Sequence, residues 1–149
     1  MAEALAIPSA VAGIASFAIQ ITQISFQYVS SVRNTSKAIS AYLQELSALT
    51  SVLLRLRSLV DIPDVRDQLP ARPDSLSCSA LQDCEKELKS LKTRLEKRQS
   101  RTGFLASVKT LTWPFEERET KQLADMFQRF HAIFHAALSS DILYVLGTH

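Results

Sequence analysis

A chain of 149 residues with 46% apolar and 21% charged residues and a formal charge of +2 has the size of one domain, in which roughly 70% of the unfolded surface can be buried. That balance excludes a disordered tail and an overall nucleic-acid binder. Three glycines and five prolines leave too little turn chemistry for hairpins or phosphate-cradling loops, so helices joined by short connections are expected.

No residue from Ala4 to Val32 is charged. The run is not a secretory signal, because Glu3 precedes it and the first basic residue is Arg33, whereas a signal opens on a positive stretch. Pro8 and Ser9 predict a first helix over about 9–31, roughly 34 Å long at the helical rise. Ile14, Phe17, Ile21, Ile24 and Tyr28 recur at spacings of three and four, and Ala12, Ala15, Ile19 and Phe26 make a second apolar side. Between them runs a narrow polar or small stripe of Ser9, Gly13, Ser16, Gln20, Gln23 and Gln27. Two readings stand open. The helix is the centre of a bundle, or it enters lipid conditionally, since its length matches a hydrocarbon core of roughly 30 Å while three glutamines make it a poor permanent span. In an oligomer, Gly13, Ser16, Gln20 and Gln23 would line a polar lumen or pair helices, leaving Ile14, Phe17, Ile21 and Ile24 for lipid.

Asn34 and Thr35 supply cap chemistry for a second helix with Ile39, Leu43, Leu46, Leu49, Leu53, Leu56 and Val60 on one stripe. Pro63, Pro70 and Pro73 then make 61–76 a mobile loop. Ser77 begins a third helix whose Leu81, Cys84, Leu88, Leu91 and Leu95 keep heptad, coiled-coil-like spacing. Its outer face is densely charged: from Lys86 to Arg101 seven basic residues stand against Glu87 and Glu96. Cys78 and Cys84 lie about 120° apart on it and are expected as reduced thiols. Gly103 interrupts, and Phe104, Leu105, Val108 and Leu111 suggest a short helical turn. Pro114 suits the first turn of a fourth long helix, with Glu116, Glu117 and Glu119 near its positive end. Leu123, Met126, Phe127, Phe130, Ile133, Phe134 and Ala137 mark its buried face, and Ser139 to Leu146 reads as a short last helix that breaks at Gly147.

The expected fold is therefore all-α, a single domain over 1–149 built as an antiparallel bundle of four long helices plus a short C-terminal one. Catalytic apparatus is not visible: there is no Gly-x-Ser-x-Gly elbow and no Walker lysine loop. His131 and His135 have the i, i+4 spacing of zinc ligands but lack both the metalloprotease glutamate and an evident third ligand, so neither metal nor cofactor is expected. The basic run leaves three readings: a solvated face, contact with anionic lipid through Lys86, Lys89, Lys92, Lys97 and Arg98, or contact with nucleic acid, which its lack of stacking aromatics disfavours.

Four segments carry a resemblance: Leu5-Ala-Ile-Pro-Ser-Ala-Val-Ala-Gly-Ile-Ala-Ser, Ser31-Val-Arg-Asn-Thr-Ser-Lys-Ala-Ile, Glu45-Leu-Ser-Ala-Leu-Thr-Ser-Val-Leu and Leu111-Thr-Trp-Pro-Phe-Glu-Glu-Arg-Glu-Thr. In order along essentially the whole chain, they resemble the N-terminal domain of fungal NLR-type (STAND) proteins, a HeLo-like domain also named for a protein of azaphilone pigment clusters. The resemblance implies a non-enzymatic effector domain ahead of an NTPase or repeat region. It further implies self-association, and membrane targeting through residues 1–31 in regulated cell death, heterokaryon incompatibility or innate immunity. The expected location is cytoplasmic, conditionally at an anionic membrane, without nucleic acid. A protein-binding or oligomerisation module without membrane activity is the alternative.

Overall fold

The main apolar stripe of each long helix turns mostly inward. The computed structural model describes residues 2–30, 35–60, 78–103 and 113–148, which form α1 (Ala2–Ser30), α2 (Lys37–Val60), α3 (Cys78–Gly103) and α4 (Glu117–Thr148). No strand occurs among the described residues. The expected loop 61–76, the turn around Phe104 to Leu111 and Asn34 lie outside them.

Helix ends differ from expectation in ways that local chemistry explains. α1 starts at Ala2 and so contains Pro8; Ala2, Glu3, Ala4, Leu5 and Ala6 are good helix formers, although Pro8 supplies no N–H to the helix. Ser36, rather than Thr35, caps α2. Its hydroxyl accepts the Ile39 amide at 3.2 Å, and its carbonyl accepts the Ser40 amide at 3.0 Å. Pro114 stands ahead of α4, not in its first turn, and the Glu116 carbonyl accepts the Thr120 amide at 2.9 Å. The reason is that Trp113 and Phe115 pack against each other, with ring centroids 5.7 Å apart, whereas a helix would point residues two apart to nearly opposite sides. No separate fifth helix forms either: α4 runs unbroken through Ser139 and Gly147 to Thr148. No proline interrupts this stretch, and one glycine near a helix end costs only about 1 kcal/mol.

Around the bundle the order is α1, α2, α4, α3. α1 packs on α2 and α3, α2 also packs on α4, and α3 and α4 meet along a thin seam. Thr22 lies opposite Thr50 at 3.3 Å and Ser25 opposite Tyr42 at 2.8 Å, so α1 and α2 are antiparallel. The core takes Val11, Ile14 and Ile21 from α1, Leu46, Leu49 and Leu53 from α2, the whole expected stripe of α3, and Phe127 and Phe134 from α4. Three expected core positions of α2 and α4 differ, one of them Leu123, which is half-buried at the edge of the core. Leu43 is only half-buried, while its neighbour Tyr42 is fully enclosed. Ile133 is 40% exposed, because it faces the α3–α4 seam, where an open groove of about 420 Å³ separates it from Ala80 and Asp83.

Candidate functional site

α1 has a buried side and a solvent side of unusual chemistry. Of the residues expected to face lipid, Ile14 and Ile21 are fully buried in the core, and Phe17 and Ile24 are half-buried beside it. The stripe expected to line a lumen or pair helices faces outward: Gly13, Ser16 and Gln23 are exposed. A side chain at Gly13 would meet nothing within 4 Å. Gln20 is half-buried, donates to the Ser16 hydroxyl at 3.4 Å, and leaves its carbonyl oxygen without a hydrogen-bond partner among the described residues. Phe26, half-exposed at 50%, completes this outer face. Ser9–Ser30, with mean hydropathy 1.4, is long and apolar enough to cross a membrane, a property that core helices of soluble proteins share.

The far end of α1 is tied down by polar groups that composition alone does not reveal as buried. The Ser25 and Tyr42 hydroxyls share a buried hydrogen bond of 2.8 Å. Burial holds the Tyr42 phenol above its ordinary value, and the Ser25 bond opposes that shift only in part. The Tyr28 hydroxyl donates to the Leu95 carbonyl of α3 at 3.0 Å. Over these groups lies Trp113, edge-on to Tyr28 at 6.3 Å and to Tyr42 at 5.0 Å. Its indole N–H donates to the buried Thr120 hydroxyl at 3.0 Å, and that hydroxyl donates to the Glu116 carbonyl at 2.9 Å. Arg94 of α3 reaches the same end, 4.9 Å over the Phe115 ring and 2.9 Å from Glu119. The Trp113-Pro114-Phe115 block thus joins all four helices at one end of the bundle.

On α3, the anionic-lipid candidates separate. Lys86, Lys89 and Lys97 are exposed and, with Ser90, Thr93 and Arg94, line a shallow depression of about 350 Å³. Lys92 turns instead toward α1, 5.4 Å over the Phe17 ring, and pairs with Glu96 at 3.6 Å. The side chain of Arg98 lies outside the described residues. On the fourth helix, Glu119 pairs with Arg94 and Glu117 with Lys121, so two residues of the acidic cluster are engaged in surface ion pairs. His131 and His135 stack at 5.6 Å. No group of three metal-capable side chains occurs among the described residues. Burial, with a smaller contribution from Glu87, pushes the Cys84 thiol from its ordinary 9.0 up to about 12, which leaves it inert as a nucleophile.

Residues 2–141 match the family model described as "Pigment biosynthesis cluster protein PigL N-terminal". The chain belongs to this family. No curated protein and no solved structure matches it. The match covers both the charge-free helix and the Trp113-Pro114-Phe115 block, the most specific element of the resemblance. The likeness to HeLo-like domains rests on the sequence resemblance.

Proposed function

We propose that the chain is a non-enzymatic N-terminal signalling domain, at rest with α1 in its core, which self-associates on triggering and presents α1 to a membrane. The observation that supports this most is the outer face of α1. A core helix of a soluble domain ordinarily places charges toward water, as α3 does, yet Ser9, Ala12, Gly13, Ser16, Gln23, Phe26, Gln27 and Ser30 are exposed without one. Such a face tolerates water, pairs with other helices through small residues, and carries no charge to be desolvated in lipid.

Release is not spontaneous on this reading. Each large apolar side chain of α1 stabilises the fold by about 1.5–3 kcal/mol, so withdrawing Val11, Ile14, Ile21 and Tyr28 together costs on the order of the whole stability of a domain, about 5–15 kcal/mol. A trigger from an attached region and the gain from oligomer or lipid contacts must offset it. Lys86, Lys89 and Lys97 would add attraction to anionic headgroups. The full burial of Ile14 and Ile21 favours a second reading, an oligomerisation or partner-binding module in which α1 never leaves.

A reversible lock separates the two. The Thr22 and Thr50 hydroxyls are 3.3 Å apart across α1 and α2, close enough for a cysteine pair at these positions to form a disulfide after small adjustment. Thr22→Cys/Thr50→Cys in a Cys78→Ser background, oligomerised through a fused tag, is expected to leave anionic vesicles intact when oxidised and to permeabilise them when reduced. Equal activity of the two forms would refute release of α1, and inactivity of both would leave the partner-binding module as the function.

A further inference from the structure

Trp113 has the properties of a fastening that can be undone. It holds Tyr28 of α1, Tyr42 of α2 and Phe115 by ring edges, and Thr120 of α4 by a hydrogen bond. α1 and α4 stand at opposite corners of the bundle, so Trp113 carries the arm ahead of α4 across to α1. Beneath it are the Ser25–Tyr42 and Tyr28–Leu95 hydrogen bonds, which attach the last two turns of α1 to α2 and α3. Trp113 itself is only half-buried and belongs to no helix. It can therefore swing away without breaking a helical hydrogen bond, whereas Tyr28 and Tyr42 cannot leave without their helices.

We infer that Trp113 is a latch: it holds the C-terminal end of α1 in the bundle, and its withdrawal is the step that lets α1 leave. This rests on the reading of α1 as a releasable helix and adds where release begins. Once Trp113 is withdrawn, opening starts at Tyr28, the end that has lost its fastening, and proceeds toward Val11.

The test is amide hydrogen exchange of the full chain, read as the ratio of rates in α1 residues 21–28 to rates in α2 residues 46–56. The lost ring edge to Tyr28 of α1 is worth a rise of about two- to tenfold in local opening, so Trp113→Ala is expected to raise that ratio several-fold. Phe134→Leu, which weakens the core of α4 away from the latch, is expected to speed both segments together. Should Trp113→Ala not fold, Trp113→Phe reads the same ratio, with a smaller rise because the ring edges persist and only the bond to Thr120 is lost. A rise that is uniform across the helices, or an unchanged ratio, overturns the latch and makes Trp113 an ordinary packing residue. Co-sedimentation with neutral and anionic vesicles runs alongside. Selective opening of α1 without any vesicle binding would sustain the latch and overturn the membrane reading, so the two fail separately.

Discussion

α1 and α3 lie side by side, and each buries one unbroken stripe, yet they meet the solvent in opposite ways. α3 shows water Lys86, Lys89, Glu96 and Lys97, while α1 shows it serines, glutamines, Ala12, Gly13 and Phe26. Inward chemistry fixes where both helices sit. Outward chemistry fixes what else each can do: a charged face commits α3 to water or an anionic surface, whereas a charge-free face leaves α1 compatible with water, a second helix or lipid. The difference lies in desolvation, because removing a lysine from water costs several kcal/mol and removing a serine or glutamine that finds a hydrogen bond costs far less.

The largest expected effects break the likeness between the inward faces. Ile21→Glu in α1, Leu88→Glu in α3 and Leu46→Asp in α2 each place an unpaired carboxylate at a fully buried position, at a cost of several kcal/mol, comparable with a domain's whole stability. All three variants are expected to be unfolded by circular dichroism. A folded Ile21→Glu would mean that the inward face of α1 is misassigned.

Next comes the outer face of α3. Replacing Lys86, Lys89 and Lys97 together by Gln should leave thermal unfolding nearly unchanged, yet remove about 1 kcal/mol of attraction per residue at an anionic surface. Vesicle binding should weaken and lose its salt dependence. Retained binding with retained salt dependence would assign the contact to other residues.

Within the junction of α1 and α2, Ser25→Ala removes the partner of the enclosed Tyr42 hydroxyl. Leaving that hydroxyl unpaired costs about 1–3 kcal/mol, and chemical denaturation should show it as a lower midpoint with an unchanged slope. The core of α3 has its own signature, in pH. The Cys84 thiol is raised from 9.0 to about 12 in the folded protein, so the unfolded chain loses that proton first as pH rises. Its contribution is fully present below 9.0 and is lost as pH climbs toward about 12. Stability of the parent should therefore fall more steeply over that window than stability of Cys84→Ala, and parallel curves would show the thiol to be accessible.

How much of this is legible without coordinates follows from the same contrast. Leu81, Cys84, Leu88, Leu91 and Leu95 could be assigned because the charges around them leave only one apolar side, and every one is buried. α1 has no charges to orient it, so spacing alone presents two apolar sides, and only packing shows that Ala15 and Ala18 turn inward while Phe26 turns out. Ser25 and Thr120 were missed because a hydroxyl reads as surface until its partner, distant in the chain, is known. The Trp113-Pro114-Phe115 block was visible as a family element, but its role at the junction of four helices depends on contacts with Tyr28 and Tyr42 more than seventy positions upstream. Ile133 was expected to be buried because helical spacing cannot show that its neighbouring helix stands off.

The smallest expected change in folding bears most directly on the contrast between the two outer faces. Gln23 is exposed on α1, so Gln23→Glu should alter stability by no more than about 0.5 kcal/mol, as is usual for surface substitutions away from caps and ion pairs. If charge-free chemistry is what suits this face to helix pairing or lipid, the same carboxylate should act strongly there, since a charge near the middle of a bilayer costs at least about 2.5–3.5 kcal/mol. The resting domain should then melt as the parent does, while tag-driven oligomers lose vesicle permeabilisation. Lys89→Glu on α3 provides the matched control, also leaving folding intact but weakening binding to anionic vesicles alone and sparing any activity on neutral ones. Gln23→Glu oligomers that permeabilise as the parent does would show that the missing charges on α1 reflect its packing history and not its function.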